Sequence, residues 1–286
     1  MTASRRLSPG GLVVRRFLRH RLAVASTVVV LAIVVLAVFA GPIAGLAPDA
    51  TDLGATRQGP SAAHWLGTDT VGRDVLSRLL HAGRVSLVVG VLAALLAVAI
   101  GTVLGTIAGY FGRWADGLVM RLADVCMSFP TLVVIIVLAG LIGPSVPALV
   151  IAIGLFQWPV CGRLVRGVTL SLREQEYVLA SRATGSSPAW LIRKHLVPAV
   201  LPPVSVAATL AVAQAIALEA TMSFLGLGVQ APTASWGTML TDAQSLTVIK
   251  TMPWLWLPPG LAVAITVLAV NFIGDGLRDA ADPRQS

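Results

Sequence analysis

The sequence predicts an all-α, polytopic membrane protein with six transmembrane helices. Of its 286 residues, 56% are hydrophobic and only 12% are charged, whereas soluble domains carry about 25% charged residues. The mean hydropathy is +0.84. Apolar runs long enough to cross a bilayer, about 20 residues each, alternate with polar segments. These observations exclude a disordered chain, a disulfide-rich scaffold and an ordinary soluble enzyme.

The first four spans follow from the uncharged runs. Residues 22–41 form a run that exceeds the core of a signal peptide, about 7–15 residues, so we interpret it as an uncleaved first span. The second span lies within residues 85–112. Residues 125–162 are uncharged but too long for one helix, and the Gly- and Pro-containing segment 143–147 divides them into spans three and four. Span three must then begin near Asp116.

Two further spans and two outer segments complete the chain. The fifth and sixth spans are predicted at residues 198–218 and 255–274. Residues 69–84 place apolar side chains on one helical face and charged side chains on the other, which predicts an amphipathic helix at the membrane interface. Residues 223–241 are uncharged but rich in Gly, Pro, Ser and Thr, and we interpret them as an outer loop that packs on the protein.

The distribution of basic residues predicts that both termini are cytoplasmic. With the N-terminus inside, 16 Lys and Arg residues fall on the inner side and 5 on the outer side, the bias that sets membrane orientation. The basic residues that give the net charge of +8 lie between apolar runs rather than in one patch. We therefore expect a lipid bilayer, and no nucleic acid, as partner. The predicted segments are a cytoplasmic N-terminus (1–21), a first transmembrane helix (22–41), an extracytoplasmic segment with the interfacial helix (42–84) and a five-helix core (85–284) that includes a cytoplasmic loop (163–197).

The sequence lacks the common motifs of catalysis. It has no Gly-Lys pair and therefore no phosphate-binding loop, so this chain is not expected to bind and hydrolyse ATP through that motif. A loose dinucleotide-binding pattern at residues 226–231 lacks the preceding strand that such a site needs. The four histidines are scattered, and Cys126 and Cys161 lie within apolar runs, where we interpret them as small buried hydrophobes. We predict no catalytic residue, metal site or cofactor in this chain.

Within the spans, two acidic residues and one row of glycines suggest a role. Asp124 lies near the inner end of span three, and Glu219 lies near the outer end of span five. They either meet interfacial water or another chain, or they act in a pathway or gate. Gly101, Gly105 and Gly109 recur every four residues on span two, a pattern that lets another helix approach closely.

The long inner loop carries the most specific local pattern. Residues 176–182 favour a short helix, and Gly185 suits the left-handed end of that helix. Ser187 and Pro188 suit the cap and the first position of a second helix. Two short helices joined at Gly185 would form a rigid elbow on the cytoplasmic face, suited to a soluble partner. The alternative is a plain connector.

This loop resembles the EAA loop of importer permeases in the ATP-binding-cassette superfamily. Ala180, Gly185 and Pro198 match that pattern with the correct spacing. The peptide-importer branch is more similar still, and it matches at Glu176, Tyr177, Ala180, Arg182, Gly185, Ser187, Ile192 and His195. The departures from the EAA pattern are Leu179, Ser181, His195 and Val197, and Ala199 replaces the asparagine that is usual in the peptide-importer branch. Residues 64–79, 223–237 and 268–284 resemble three further signatures of the branch, in order.

The resemblance covers about residues 64–284 and indicates the second, C-type, permease subunit of dipeptide, oligopeptide and nickel importers. It implies a type I importer permease fold in a bacterial inner membrane, with a homologous second permease, two ATPase subunits and an extracytoplasmic substrate-binding protein as partners. ATP and magnesium would belong to the ATPases. The residues implied to couple to an ATPase are Glu174, Glu176, Tyr177, Ala180, Arg182, Gly185, Ser187, Pro188, Ile192 and His195.

The cargo expected from the resemblance is a di- or oligopeptide, for which this chain would form half of the translocation pathway. Nickel and haem-like cargo are alternatives within the same architecture. A secondary transporter that acts without an ATPase, and a membrane scaffold or channel, are the competing classes. The small number of charged residues within the spans argues against a proton-driven secondary transporter.

Overall fold

The computed structural model describes residues 14–281, and these form helices joined by turns and by two longer irregular segments, 45–74 and 225–235, with one isolated bridge between Thr68 and Asp74. The helices in chain order are α1 (Arg21–Val38), α2 (Ala40–Ala44), α3 (Val75–Phe111), α4 (Arg113–Ser128), α5 (Thr131–Ile142), α6 (Val146–Arg173), α7 (Glu176–Ala183), α8 (Pro188–Leu191), α9 (Val197–Phe224), α10 (Trp236–Met239), α11 (Leu246–Thr251) and α12 (Pro253–Ala281). Short 3-10 turns lie at Leu53–Ala55 and Leu240–Gln244, and a π-helical turn at Ile192–Leu196 joins α8 to α9.

Five helices of the described chain are long and apolar enough to cross a membrane. They are α1, α3, α6, α12 and the continuous helix Pro188–Phe224, which contains α8 and α9. The consecutive helices α4 and α5 give a sixth span if they are counted together, although they are bent by 86° at the break between them. The prediction of an all-helical protein with about six spans is therefore confirmed.

The centre of the fold is the long contact between α3 and α6, where glycines replace side chains. Gly101, Gly105 and Gly109 all face α6. A Cβ atom at Gly105 would lie 2.4 Å from the carbonyl oxygen of Gly162, and one at Gly109 would lie 2.6 Å from the Cβ of Thr169. Helix α6 is the close neighbour of this glycine row, α9 packs against both helices of the pair, and α12 packs mainly against α9 and α1.

The prediction of a separate interfacial helix at residues 69–84 is wrong. Residues 75–84 are the first turns of α3, which continues to Phe111 and begins where the Asp74 carboxylate accepts the amide hydrogen of Ser77 at 2.7 Å. The charged face meets protein rather than water, because Oδ2 of Asp69 accepts hydrogen bonds from Arg73 (2.7 Å) and Arg78 (3.2 Å). The boundary expected between residues 84 and 85 therefore falls inside a helix.

Two other spans differ from the prediction in shape or length. Span three is broken into α4 and α5 around Pro130, which cannot donate a backbone hydrogen bond. Helix α6 continues 11 residues beyond Gly162 to Arg173, so the first third of the expected cytoplasmic loop is helix. Hydropathy marks only the apolar part of a helix, and the polar turns that extend it from the membrane escape that criterion.

Candidate functional site

The structure contains the two short helices of the inner loop, residues 174–196, which we call the elbow. Helix α7 ends at Ala183, and Gly185 follows with a φ of +85°, a left-handed conformation that glycine adopts without strain. The hydroxyl of Ser187 then accepts the amide hydrogen of Trp190 at 3.3 Å, and Pro188 is the first residue of α8. Each local signal in the sequence thus has a counterpart in the backbone.

The elbow is anchored on one side and exposed on the other. Val178, Leu191 and Leu196 are at most 2% exposed and hold it against the protein. Tyr177 and Trp190 are 46% and 47% exposed. The elbow therefore has a fixed position and presents large apolar side chains outward.

His195 joins the two short helices through aromatic contacts. Its ring centroid lies 5.6 Å from that of Tyr177 and 5.2 Å from that of Trp190, within the range of favourable aromatic pairs. The Nε2 atom of His195 is buried and has no hydrogen-bond partner among the described residues. The resemblance pointed to Tyr177 and His195 but not to Trp190, and the meeting of the three rings depends on the turn at Gly185.

The remaining predicted elbow residues lie at helix ends or on the exposed surface. Glu174 caps α6, and its carboxylate accepts a hydrogen bond from Arg173 at 3.0 Å. Glu176 lies in the first turn of α7 and Arg182 in its last turn, the arrangement that the helix dipole favours. Ala180 is exposed, and Ile192 begins the π-helical turn. The outward surface of the elbow thus carries both signs of charge beside its aromatic rings.

The elbow is rigidly connected to a transmembrane span. The helix from Pro188 to Phe224 has 37 residues and is continuous, so it is about 55 Å long at 1.5 Å per residue. The other end of the elbow follows α6 directly at Glu174. A displacement of the elbow therefore acts on α6 and α9 without a flexible loop between them.

Asp124, one of the two predicted pathway residues, forms an ion pair within this chain. Its carboxylate lies 2.5 Å from the guanidinium of Arg163, and both side chains are about half exposed. A second pair nearby, Asp116 with Arg166, joins α4 to α6 through two hydrogen bonds. These pairs tie the first half of the broken span to α6. The pairing of Asp116 with Arg166 spans 50 residues, so nothing local in the sequence indicates it.

Glu219, the other predicted pathway residue, is completely buried, so its interpretation as a residue at interfacial water is wrong. Its carboxylate accepts hydrogen bonds from the hydroxyls of Ser86 (2.8 Å) and Ser223 (2.7 Å). Those two hydroxyls in turn accept the amide hydrogens of Trp236 and Val229. Glu219 therefore links α9, α3 and the outer segment 225–239, and a role in gating stays a prediction.

Two cavities lie along α6 and α9. The larger has a volume of about 560 Å³ and extends to the C-terminal end of α12. The other has a volume of about 450 Å³ and is bounded by residues of α4 and α5. Cys161 lines the first cavity and Cys126 the second, and both are free thiols, Cys161 being buried. Three residues, Gln157, Val160 and Gln214, line both cavities.

Long apolar helices, cavities between them and an anchored elbow at one end define a class of protein, the membrane-embedded component of a transport system. Two family models match the chain. One describes the inner membrane component of binding-protein-dependent transport systems and matches residues 101–286. The other describes the N-terminal transmembrane domain of oligopeptide transport permease C and matches residues 8–60. The chain belongs to the family of binding-protein-dependent transport system inner membrane components, and it is a multi-pass protein of the bacterial inner membrane.

Curated relatives are similar over nearly the whole chain. A Brucella suis protein with a provisional name as a peptide permease is 47% identical over 270 residues, 94% of this chain and 89% of that protein. The dipeptide transport system permease protein of Alkalihalophilus pseudofirmus is 40% identical over 278 residues, 97% of this chain and 91% of that protein. The glutathione transport system permease protein of Pectobacterium atrosepticum is 40% identical over 271 residues, 94% and 89% of the two chains.

A solved structure shares the fold. It is an inward-facing form of the MetNI methionine ABC transporter, matched with a TM-score of 0.57 over 71% of this chain and 95% of that chain. Because the sequence identity is only 18%, this likeness concerns the fold alone. The importer permease class that the loop motifs predicted is therefore confirmed by family, relatives and fold.

Proposed function

We propose that this chain is the permease subunit of an ATP-driven peptide importer and that its elbow docks on an ATPase subunit. The observation that carries the proposal is the elbow itself, which is anchored by buried residues and presents aromatic side chains outward. The family to which this chain belongs consists of inner membrane components of binding-protein-dependent transport systems. The chain would supply half of the translocation pathway and no catalytic residue.

The exposed side of the elbow has the composition of a protein-binding surface. Tyr177, Leu179 and Trp190 are each nearly half exposed, and all three lie on the short helices α7 and α8 of the elbow. Aromatic residues of this kind dominate the binding energy of protein interfaces. The flanking charges of Glu176 and Arg182 would orient a partner. The excess of basic residues in the predicted inner segments supports a cytoplasmic position for this surface, where an ATPase subunit would work.

The remaining partners follow from the same proposal. A homologous second permease would complete the pathway, two ATPase subunits would bind ATP and magnesium, and an extracytoplasmic binding protein would deliver cargo. Closure of the ATPases would displace the elbow, and the direct connections to α6 and α9 would pass that displacement into the membrane. The cavities along those helices would then change their access from one side to the other.

A peptide is the cargo that the chemistry favours. The residues that line the two cavities are mostly apolar and include two glutamine amides, Gln157 and Gln214, and no histidine. Nickel prefers nitrogen ligands such as imidazole, which this lining does not offer. The names of the relatives from Alkalihalophilus and Pectobacterium, which refer to a dipeptide and to glutathione, support the same class of cargo.

The docking proposal is tested by substitution at Gly185. An added side chain at Gly185 has open space within this chain, so its bulk would meet only a partner. Separately, the positive φ of this residue disfavours most residues other than Gly and Asn. In the assembled transporter, we expect Gly185→Trp to lower the peptide imported per ATP hydrolysed, and Gly185→Asn to retain most of it. Normal import with Gly185→Trp would contradict docking at the elbow.

The cargo proposal is tested by uptake of a labelled dipeptide in cells with and without this chain. Longer peptides, nickel and haem serve as unlabelled competitors. We expect uptake to require the chain and peptides alone to compete. If dipeptide uptake is unchanged while nickel or haem accumulation falls, the importer architecture stands and the peptide assignment fails.

A further inference from the structure

The junction of the two cavities lies between α6 and α9, where two glutamine side chains are part of a mostly apolar lining. Gln157 of α6 and Gln214 of α9 each line both cavities, together with Val160. The volumes of about 560 and 450 Å³ lie within the range of small-molecule sites, about 300–1,000 Å³. A ligand at the junction would therefore contact both amides.

Charge in the larger cavity is confined to one end. Asp275 and Arg278 belong to the last turns of α12, and both line that cavity. The smaller cavity has no charged lining residue among those described. Around the junction the lining consists of hydrocarbon side chains such as Val206, Leu210 and Leu218. The junction is thus neutral, and hydrogen bonds rather than ion pairs would orient a ligand there.

Gln157 carries an unused acceptor at this point. Its Oε1 atom is buried and accepts no hydrogen bond from any residue between 14 and 281. A buried acceptor that lacks a partner costs about 1–3 kcal/mol, which a donor on a ligand would recover. Gln214 is exposed along α9 and has its amide available as well. Each glutamine amide offers one acceptor oxygen and two N–H donors.

We propose that Gln157 and Gln214 form a subsite that binds the peptide bonds of the cargo at the junction of the two cavities. A peptide bond presents one N–H donor and one C=O acceptor, which complement the carboxamide of a glutamine in both directions. Recognition through the peptide bond is independent of the cargo's side chains, so one neutral subsite serves many sequences. The inference rests on the proposed function, since it names residues for a peptide in the pathway.

The experiment uses the complete transporter in proteoliposomes, with the binding protein saturated by a labelled dipeptide so that its own selectivity does not enter. Gln157→Leu and Gln214→Leu remove the amides and leave apolar side chains of comparable volume. Gln244→Leu is the matched control, because Gln244 lies outside both cavities and donates to the carbonyl of Phe224. We expect each cavity variant to carry about three- to tenfold less peptide per ATP hydrolysed, the effect of one lost hydrogen bond. The control should match the wild type.

A second measurement separates recognition from a structural role. The wild type is compared on the dipeptide and on its analogue with an ester in place of the peptide bond, which lacks the N–H donor. We expect the wild type to carry the dipeptide severalfold better per ATP, and Gln157→Leu to lose this preference while cargo-stimulated ATP hydrolysis persists.

Three results overturn the inference. They are wild-type transport by both cavity variants, an unchanged preference for the dipeptide over the ester in Gln157→Leu, and a parallel loss of transport and ATP hydrolysis with that preference intact. Each of these leaves the proposed function in place. If the wild-type transporter carries no peptide at all, the proposed function fails first, so the two failures are distinguishable.

Discussion

A single methyl group placed between α3 and α6 provides a sharp test of the fold. Alanine at Gly105 would put its Cβ 2.4 Å from the carbonyl oxygen of Gly162 and 2.9 Å from the Cβ of Val165. Carbon and oxygen in contact normally lie about 3.3–3.6 Å apart, so the two helices would have to separate by about 1 Å. A gap of that size forfeits about a quarter to a half of the dispersion energy of each affected contact.

Overpacking a well-packed contact costs about 1–3 kcal/mol and better helix propensity returns up to about 1 kcal/mol, so the expected net effect of Gly105→Ala is a loss of up to about 2 kcal/mol of stability. For chains of this size each kcal/mol lowers the melting temperature by about 2–4 °C. The matched control is Gly167→Ala, because Gly167 lies on α6, is exposed, and has nothing within 4 Å of the position that an added Cβ would take. That variant should gain up to about 1 kcal/mol from better helix propensity.

The assay is thermal unfolding of the assembled transporter in detergent, followed by the loss of monodisperse complex on size exclusion. The two alanine variants should move in opposite directions from the wild type. If Gly105→Ala proves as stable as Gly167→Ala, the close approach of α3 to α6 does not exist as described, and the arrangement of the helices around that contact is wrong.

Three more predictions concern stability outside this contact. Ser86→Ala should lower the melting temperature, because it removes one hydrogen bond to the buried Glu219 carboxylate and leaves the amide hydrogen of Trp236 without that acceptor; an unchanged melting temperature would contradict this. Burial raises the pKa of Asp242, and the nearby charge of Asp69 raises it further. The folded protein therefore favours the protonated carboxyl, and its stability falls as pH rises above the ordinary pKa of Asp. Asp242→Asn should therefore stabilise the protein at pH 7 and lose that advantage in a thermal scan near pH 4, about the ordinary pKa. Ser187→Ala should weaken the start of α8 by about 1 kcal/mol, measured as about fivefold faster amide hydrogen exchange in α8, whereas unchanged exchange would show that the cap contributes little.

The elements that the sequence predicted best are those specified by neighbouring residues. The elbow depends on a glycine at its turn and on Ser187 and Pro188 at the next helix start, and each signal acts within four residues. The spans likewise follow from continuous apolar runs. Local propensity and hydropathy are properties of a short segment, so they can be judged without the rest of the fold.

The features that escaped prediction depend on contacts between distant residues. The hydrogen bond between Ser86 and Glu219 spans 133 residues, and nothing in either segment indicates the other. The amphipathic pattern of residues 69–84 was correct, but periodicity shows only that one face is polar. It does not show whether that face meets water or protein, and here Arg84 donates to the carbonyl oxygens of Ala37 and Val38, which lie 47 and 46 residues away in the sequence.

The connection between the elbow and the outer side of the protein follows from helix geometry. Leu196, buried in the elbow, and Glu219, buried in the outer network, lie on one continuous helix. Their 23-residue separation corresponds to about 35 Å along the axis. Pro202 and Pro203 remove backbone hydrogen bonds from that helix between them, and both line the larger cavity. A force applied at the elbow therefore reaches the outer segment through this helix. The helix is weakest at Pro202 and Pro203, which border the cavity, so bending there changes the shape of the space that would hold the cargo.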